Sequence, residues 1–158
     1  MNPNSSEAHN NLGVLYKAQK KYDEAFREYQ KALELEPDST EVHNNLGSLF
    51  YQMKEYNKAF QEYQKVIELD PDSVDAHNNL GVLYYNTKEY DKAFQEYQKA
   101  IKIDPYYVKA HINLGHLLCK IKRYDSAIKE FKKALELNPE NESIKKKIKE
   151  INEIISKE

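Results

Sequence analysis

The feature that most constrains this chain is a period. Prolines stand at 3, 37, 71, 105 and 139, always 34 residues apart, and glycines at 13, 47, 81 and 115 keep the same interval. Those four are all the glycines in 158 residues. Between these marks the text recurs. The first halves read HNNLGVLY, HNNLGSLF, HNNLGVLY and HINLGHLL, and the units Thr40–Ser73 and Val74–Tyr107 are identical at 21 of 34 places. A sequence with that self-similarity builds copies of one supersecondary unit. No copy can bury its apolar face alone, so neighbours stack and share a continuous core.

Each half of a unit has helical periodicity. Ala8, Leu12, Leu15 and Tyr16 share one face, and Ala25, Phe26, Tyr29, Ala32 and Leu33 share another. A helix of about 14 residues is marginal by itself, so stability must come from packing. A mid-helix glycine costs roughly 1 kcal/mol against alanine. Gly13, Gly47, Gly81 and Gly115 are therefore expected where a Cβ would collide with the partner helix, with Ala25, Ala59, Ala93 and Ala127 as the reciprocal small positions. Pro37, Pro71, Pro105 and Pro139 stop the second helices. Pro3 sits in the same phase, as if the chain had been cut from a longer array. Ile144, Ile148 and Ile151 fall 34 residues after Ala110, Leu114 and Leu117. They predict a capping helix over 142–156, with Lys149 where the glycine would be and Lys145 where a histidine would be. The fold expected is all-α: four units (6–39, 40–73, 74–107, 108–141) and a solvating helix in one solenoid domain, 1–158.

Leucine-glycine, an aromatic three residues on (Leu118 in the fourth unit), alanine twelve on, an aromatic sixteen on and proline twenty-four on, over four units from Ser6 to Asn141, resemble the tetratricopeptide repeat family. The resemblance implies a right-handed α-solenoid whose first helices line a concave groove. Two places depart from the family pattern. His9, His43, His77 and His111 stand where a tryptophan or other large residue is usual, and Lys20, Lys54, Lys88 and Lys122 take the turn position usually held by glycine. A non-glycine residue in a left-handed turn costs on the order of 1 kcal/mol, so a slightly altered turn is expected.

The resemblance also implies which residues line the groove: those six, three and two before the glycine, and one, four and five after it. Two before stand Asn11, Asn45, Asn79 and Asn113; three before stand Asn10, Asn44 and Asn78, then Ile112. A carboxamide offers an acceptor and two donors, so it can bridge the C=O and N–H of a peptide whatever its side chains. A similar asparagine ladder occurs in the repeats of O-GlcNAc transferase, which implies peptide capture here. The alternative is that these asparagines only bridge adjacent helices, and both readings stay open. Six before the glycine stand Glu7, Glu41 and Asp75, then Lys109, and the four units carry net charges of −2, −3, −1 and +3. An acidic stretch of groove favours a neutral or basic segment, although acids in a helix's first turn also complement its dipole. Tyr51 and Tyr85, four after the glycine, would add contact area. Chaperone-type carboxylate clamps use lysines and asparagines at set places. Units two to four offer Asn44, Ser48, Asn79, Lys109 and Asn113 there, and only Asn79 and Lys109 match, so recognition of an acidic C-terminal tail is not expected as the main function.

The remaining residues narrow the function classes. A net charge of −2 gives no surplus of cations for nucleic acid, and the Lys145-Lys146-Lys147 run reads as a wet cap face. No apolar run is long enough to span a membrane, and the polar start is no signal peptide. The single cysteine, Cys119, cannot form an intramolecular disulfide; it reads as a buried small hydrophobe, with the edge of the groove as the alternative. A cytoplasmic setting is the default. The four histidines, on rungs about 10 Å apart, cannot converge on an ion with bonds near 2 Å; they read as bulky fillers of an interhelical gap. No phosphate-binding loop, HExxH motif or nucleophile elbow occurs, so no catalytic residue, cofactor or metal is expected. The chain reads as a protein-binding scaffold, not an enzyme, whose partner is a peptide or helix in the groove. The alternatives are self-assembly through the solenoid ends or the tyrosine-rich surface (13 tyrosines), and service as the targeting arm of a larger enzyme.

Overall fold

The computed structural model describes residues 5–157, which leaves the phase of Pro3 outside the described residues. Secondary structure there is entirely helical, in nine α-helices. Each unit supplies a pair: α1 (Ser6–Ala18) and α2 (Tyr22–Leu35), α3 (Thr40–Gln52) and α4 (Tyr56–Leu69), α5 (Val74–Asn86) and α6 (Tyr90–Ile103), α7 (Val108–Lys120) and α8 (Tyr124–Leu137). The cap is α9 (Glu142–Ile155). The first helix of every pair begins at the first residue of its repeat.

The helices fall into two compact units that divide between Asn79 and Leu80, inside α5. In the first, α1 packs on α2, α3 on α4, α2 on α3, and α1 also reaches α3. In the second, α7 packs on α8, α6 on α7 and α8 on α9. This consecutive order of helix pairs is the packing of an α-solenoid.

The glycines stand where the helices cross closely. A Cβ built on Gly47 would lie 2.6 Å from Cε1 of Tyr63, and on Gly115 it would lie 2.5 Å from Cε1 of Phe131. The ring that excludes it is the aromatic sixteen residues on, so two marks of the repeat are one contact. The reciprocal alanines, Ala25, Ala59, Ala93 and Ala127, are fully buried. In the second unit the core gathers Leu114, Leu117, Phe131, Ile144 and Ile151, which seats α9 by its predicted isoleucine face.

The turns keep their left-handed residue. Lys20, Lys54, Lys88 and Lys122 have φ of 60°, 62°, 66° and 60°. After α3, the N–H of Lys54 donates to the carbonyl of Tyr51 at 3.0 Å and that of Glu55 to Phe50 at 2.9 Å. That is a Schellman closure with lysine where glycine is usual, and the same pair of bonds follows α1, α5 and α7. The altered turn expected from the lysines does not occur. The backbone adopts the strained conformation because two carbonyls would otherwise lose their donors.

Candidate functional site

Side-chain hydrogen bonds join asparagines of adjacent repeats. Asn45 Nδ2 donates to Asn10 Oδ1 at 3.0 Å, and Asn79 Nδ2 donates to Asn44 Oδ1 at 2.9 Å. Asn10 is buried, and its own Nδ2 donates to Glu41 Oε1 at 2.6 Å. This arrangement orients the amides in sequence. The carboxylate can only accept, so it draws the NH2 of Asn10; the oxygen of Asn10 then faces Asn45 and draws the NH2 there. Asn45 is left half-buried, with its oxygen and one N–H unspent among the described residues. Bridging of adjacent helices, one of the two readings open from the sequence, is therefore present.

The other predicted residues divide by accessibility. Asn11, Glu7, Glu41, Asp75 and Lys109 are exposed, Asn78 is buried, and Asn44, Asn79, Asn113, Tyr51 and Tyr85 are half-buried. Tyr51 leans on Tyr56, with ring centroids 5.8 Å apart, and burial pushes its hydroxyl pKa up, helped by the neighbouring tyrosine. Tyr85 leans on Tyr90 in the same way at 5.9 Å.

Two residues absent from the predicted set stand at groove positions of the first unit. Lys17, four after Gly13, donates to Ser48, one after Gly47, at 3.3 Å. Burial lowers the pKa of Lys17, as it does for any cation with only a neutral partner.

In the second unit the groove positions close around a pocket of about 410 Å³. Val82 and Tyr85 enter it from α5, and Tyr97 from α6. Asn113, His116, Cys119 and Lys120 enter from α7, and Lys147 from the cap. Apart from Tyr97, these stand two before, or one, four or five after, their glycine or the Lys149 that replaces it. His116 sets its ring edge-on to Phe131 at 5.1 Å, and its pKa is lowered by burial and by the charge of Lys147. Cys119 is half-buried; burial raises the pKa of its thiol, and Lys147 opposes the rise. The thiol reaches the pocket, so the simple core reading of Cys119 does not describe it.

The regular histidines fill interhelical gaps and also bind across them. His9, His43 and His111 donate from Nδ1 to Glu28, Glu62 and Glu130 at 2.6, 2.7 and 2.8 Å. The Nε2 atoms of His43, His77 and His111 lie 2.9, 3.0 and 3.1 Å from the carbonyl oxygens of Pro37, Pro71 and Pro105. In His43 and His111 one ring nitrogen is spent on a glutamate of the same repeat and the other on the proline carbonyl that ends the repeat before. The carboxylate partners were missed from the sequence, although a glutamate follows every one of these histidines by nineteen residues.

Profiles described as tetratricopeptide repeats match residues 1–27, 74–107 and 108–141, and a TPR repeat profile matches 15–54 and 47–88. The chain belongs to the tetratricopeptide repeat family. No curated protein matches it, whereas 412 chains of solved structure do, so the tetratricopeptide fold by itself is too common to name a partner. One similar structure comes from a functional characterization of Pseudomonas aeruginosa PilF, with a TM-score of 0.89 and 27% identity over 96% of this chain and 69% of that one. A crystal structure of MamA matches with a TM-score of 0.74 and 32% identity over 87% of this chain and 81% of that one. The first TPR of Spaghetti (RPAP3), bound to the HSP90 peptide SRMEEVD, matches with a TM-score of 0.70 and 21% identity over 74% and 93%; that likeness is one of fold. None of the described helices is long and apolar enough to cross a membrane.

Proposed function

We propose that this tetratricopeptide chain is a non-catalytic scaffold that holds an extended peptide along its first helices through the main chain of the ligand. The observation that carries the reading is the unspent half of Asn45. Once Glu41 and Asn10 have oriented it, Asn45 keeps one acceptor and one N–H, the pair that a peptide unit complements. An extended peptide advances about 3.3 Å per residue, and packed helices lie about 8–10 Å apart, so a rung would meet roughly every third residue. At about 0.5–1.5 kcal/mol net per bond, a few rungs give modest affinity. The exposed acids Glu7, Glu41 and Asp75 favour a neutral or basic segment there, with Tyr51 adding apolar contact. The RPAP3 structure supports the reading only in that its fold has been captured with a peptide.

The test is selection from a random peptide phage library, with and without Asn11, Asn45, Asn79 and Asn113 changed together to alanine. Peptides retained by the parent and released by the variant, while its helical circular dichroism and melting persist, are the expected outcome. Equal retention would sink the ladder. Since Asn45 and Asn79 also bridge helices, a second variant, Asn11→Ala with Tyr51→Ala, tests groove side chains outside the Asn–Asn bonds and should weaken the same peptides.

A further inference from the structure

We infer that the pocket of the second unit is a subsite for a bulky apolar side chain carried by an internal acidic segment of the ligand. The inference rests on the peptide-groove reading and adds the chemistry of one subsite. At about 410 Å³ the pocket lies within the range of roughly 300–1,000 Å³ in which small ligands are held, ample for one large side chain. Its walls supply apolar surface from Val82, the Tyr85 and Tyr97 rings and Cys119.

The sign of its rim sets the partner. Among the described residues both charged lining residues are lysines, Lys120 and Lys147, and no carboxylate lines the pocket. Lys120 has no carboxylate partner among the described residues. Lys147 meets Glu150 at 3.2 Å across one turn of α9, an exposed pair of the kind worth little and displaceable by a ligand carboxylate. Burial and then the charge of Lys147 lower the pKa of His116, and Lys147 opposes the rise that burial gives the Cys119 thiol, so its charge is felt inside the pocket. The surrounding sequence has the same sign, since unit four carries +3. A basic segment would bring its cations against two lysines in a partly desolvated place, and an apolar neutral one would leave them unanswered.

The probe is a capped, fluorescein-labelled hexapeptide of alternating acidic and apolar residues, Asp-Leu-Glu-Phe-Asp-Leu, titrated against the full chain by anisotropy. Capping removes any free terminus. Binding on the order of 10–100 μM is expected for so short a ligand, weakening as salt rises. Versions with lysine for each acid, or alanine for each apolar residue, should bind at least roughly tenfold more weakly. Lys120→Glu with Lys147→Glu should cause a similar loss; if that pair of changes disturbs folding, Lys120→Glu alone, on an exposed side chain, carries the test. Cys119 is the only cysteine, so its alkylation by iodoacetamide reports on this pocket alone, and saturating peptide should slow it several-fold. Equal binding of the lysine version, indifference to charge reversal, or unprotected Cys119 would each overturn the subsite. If the acidic probe fails while asparagine-dependent phage selection succeeds, the pocket chemistry is wrong and the groove reading stands. If both fail, the groove itself is not a peptide site.

Discussion

At the scale of single residues, polar atoms set what each position can do. Tyr29 shows the cost of leaving one out. Its ring fills the space that Gly13 leaves open, where a Cβ would sit 2.6 Å from Cε1, and the side chain is fully buried. Among the described residues its hydroxyl is buried without a hydrogen-bond partner, and burial drives its pKa well above the usual phenol range. An unsatisfied buried hydroxyl costs about 1–3 kcal/mol. The fourth repeat solves the same packing problem with Phe131, which has no such atom and is equally buried. Tyr29→Phe should therefore stabilise the chain by about 1 kcal/mol, read as a rise of about 2–4 °C in the melting midpoint. A fall would mean that the hydroxyl finds a partner in solution. Asn10 is the opposite case. It is as deeply buried, but both ends of its amide are used, so Asn10→Leu should destabilise by leaving Glu41 and Asn45 without their partner.

At the scale of elements, the strain sits in the turns. Four lysines hold φ near 60°, a conformation that costs a side-chain-bearing residue roughly 1–2 kcal/mol and glycine almost nothing. Glycine loses more freedom on folding, so Lys54→Gly should gain about 0.5–1 kcal/mol net. Changing Lys20, Lys54, Lys88 and Lys122 together should raise the melting midpoint more than any one change, and an unchanged midpoint would show that the lysines are strain-free there. These turns also show how far the sequence could be read. Helix pairing, the glycine crossings and the cap helix were legible because each depends on spacing, and spacing repeats four times. The lysine turns were misread in one respect, since a local propensity was weighed without the two carbonyls that the closure satisfies. In the site, Asn113 and Tyr85 were singled out from the sequence and line the pocket, whereas Cys119 was read chiefly as core. The orientation of Asn45 was not, because Glu41 sets it through Asn10 across a repeat boundary. The lysines and histidine of the pocket escaped for a similar reason. Lys147 belongs to the cap, and its meeting with His116 and Cys119 is a tertiary fact that no single repeat contains.

At the scale of the whole molecule, repetition of sequence does not bring repetition of environment. Leu15, Leu49, Leu83 and Leu117 are the same residue of the motif, two after its glycine. Leu49 and Leu117 are fully buried and Leu83 nearly so, whereas Leu15 is 52% exposed and Val14 beside it 38%. The difference follows from what lies against each helix. In the first unit, α3 has α2 before it as well as α4 after it, while α1 has no second helix preceding it among the described residues. Stability in a stack comes from neighbours, so a residue's weight should follow its place in the array and not its match to the motif. Leu49→Ala should cost about 2–5 kcal/mol, the range for a buried leucine that leaves a cavity. Leu15→Ala, on the open face of α1, should change stability by less than about 0.5 kcal/mol, as surface substitutions do. Denaturant unfolding of the two variants at several protein concentrations separates the cases. A small cost at Leu15 that does not vary with concentration fits a chain whose α1 face stays in water. A cost at Leu15 approaching that at Leu49 and growing with concentration would mean that a second copy covers that face, and would move the reading from groove binding towards self-assembly.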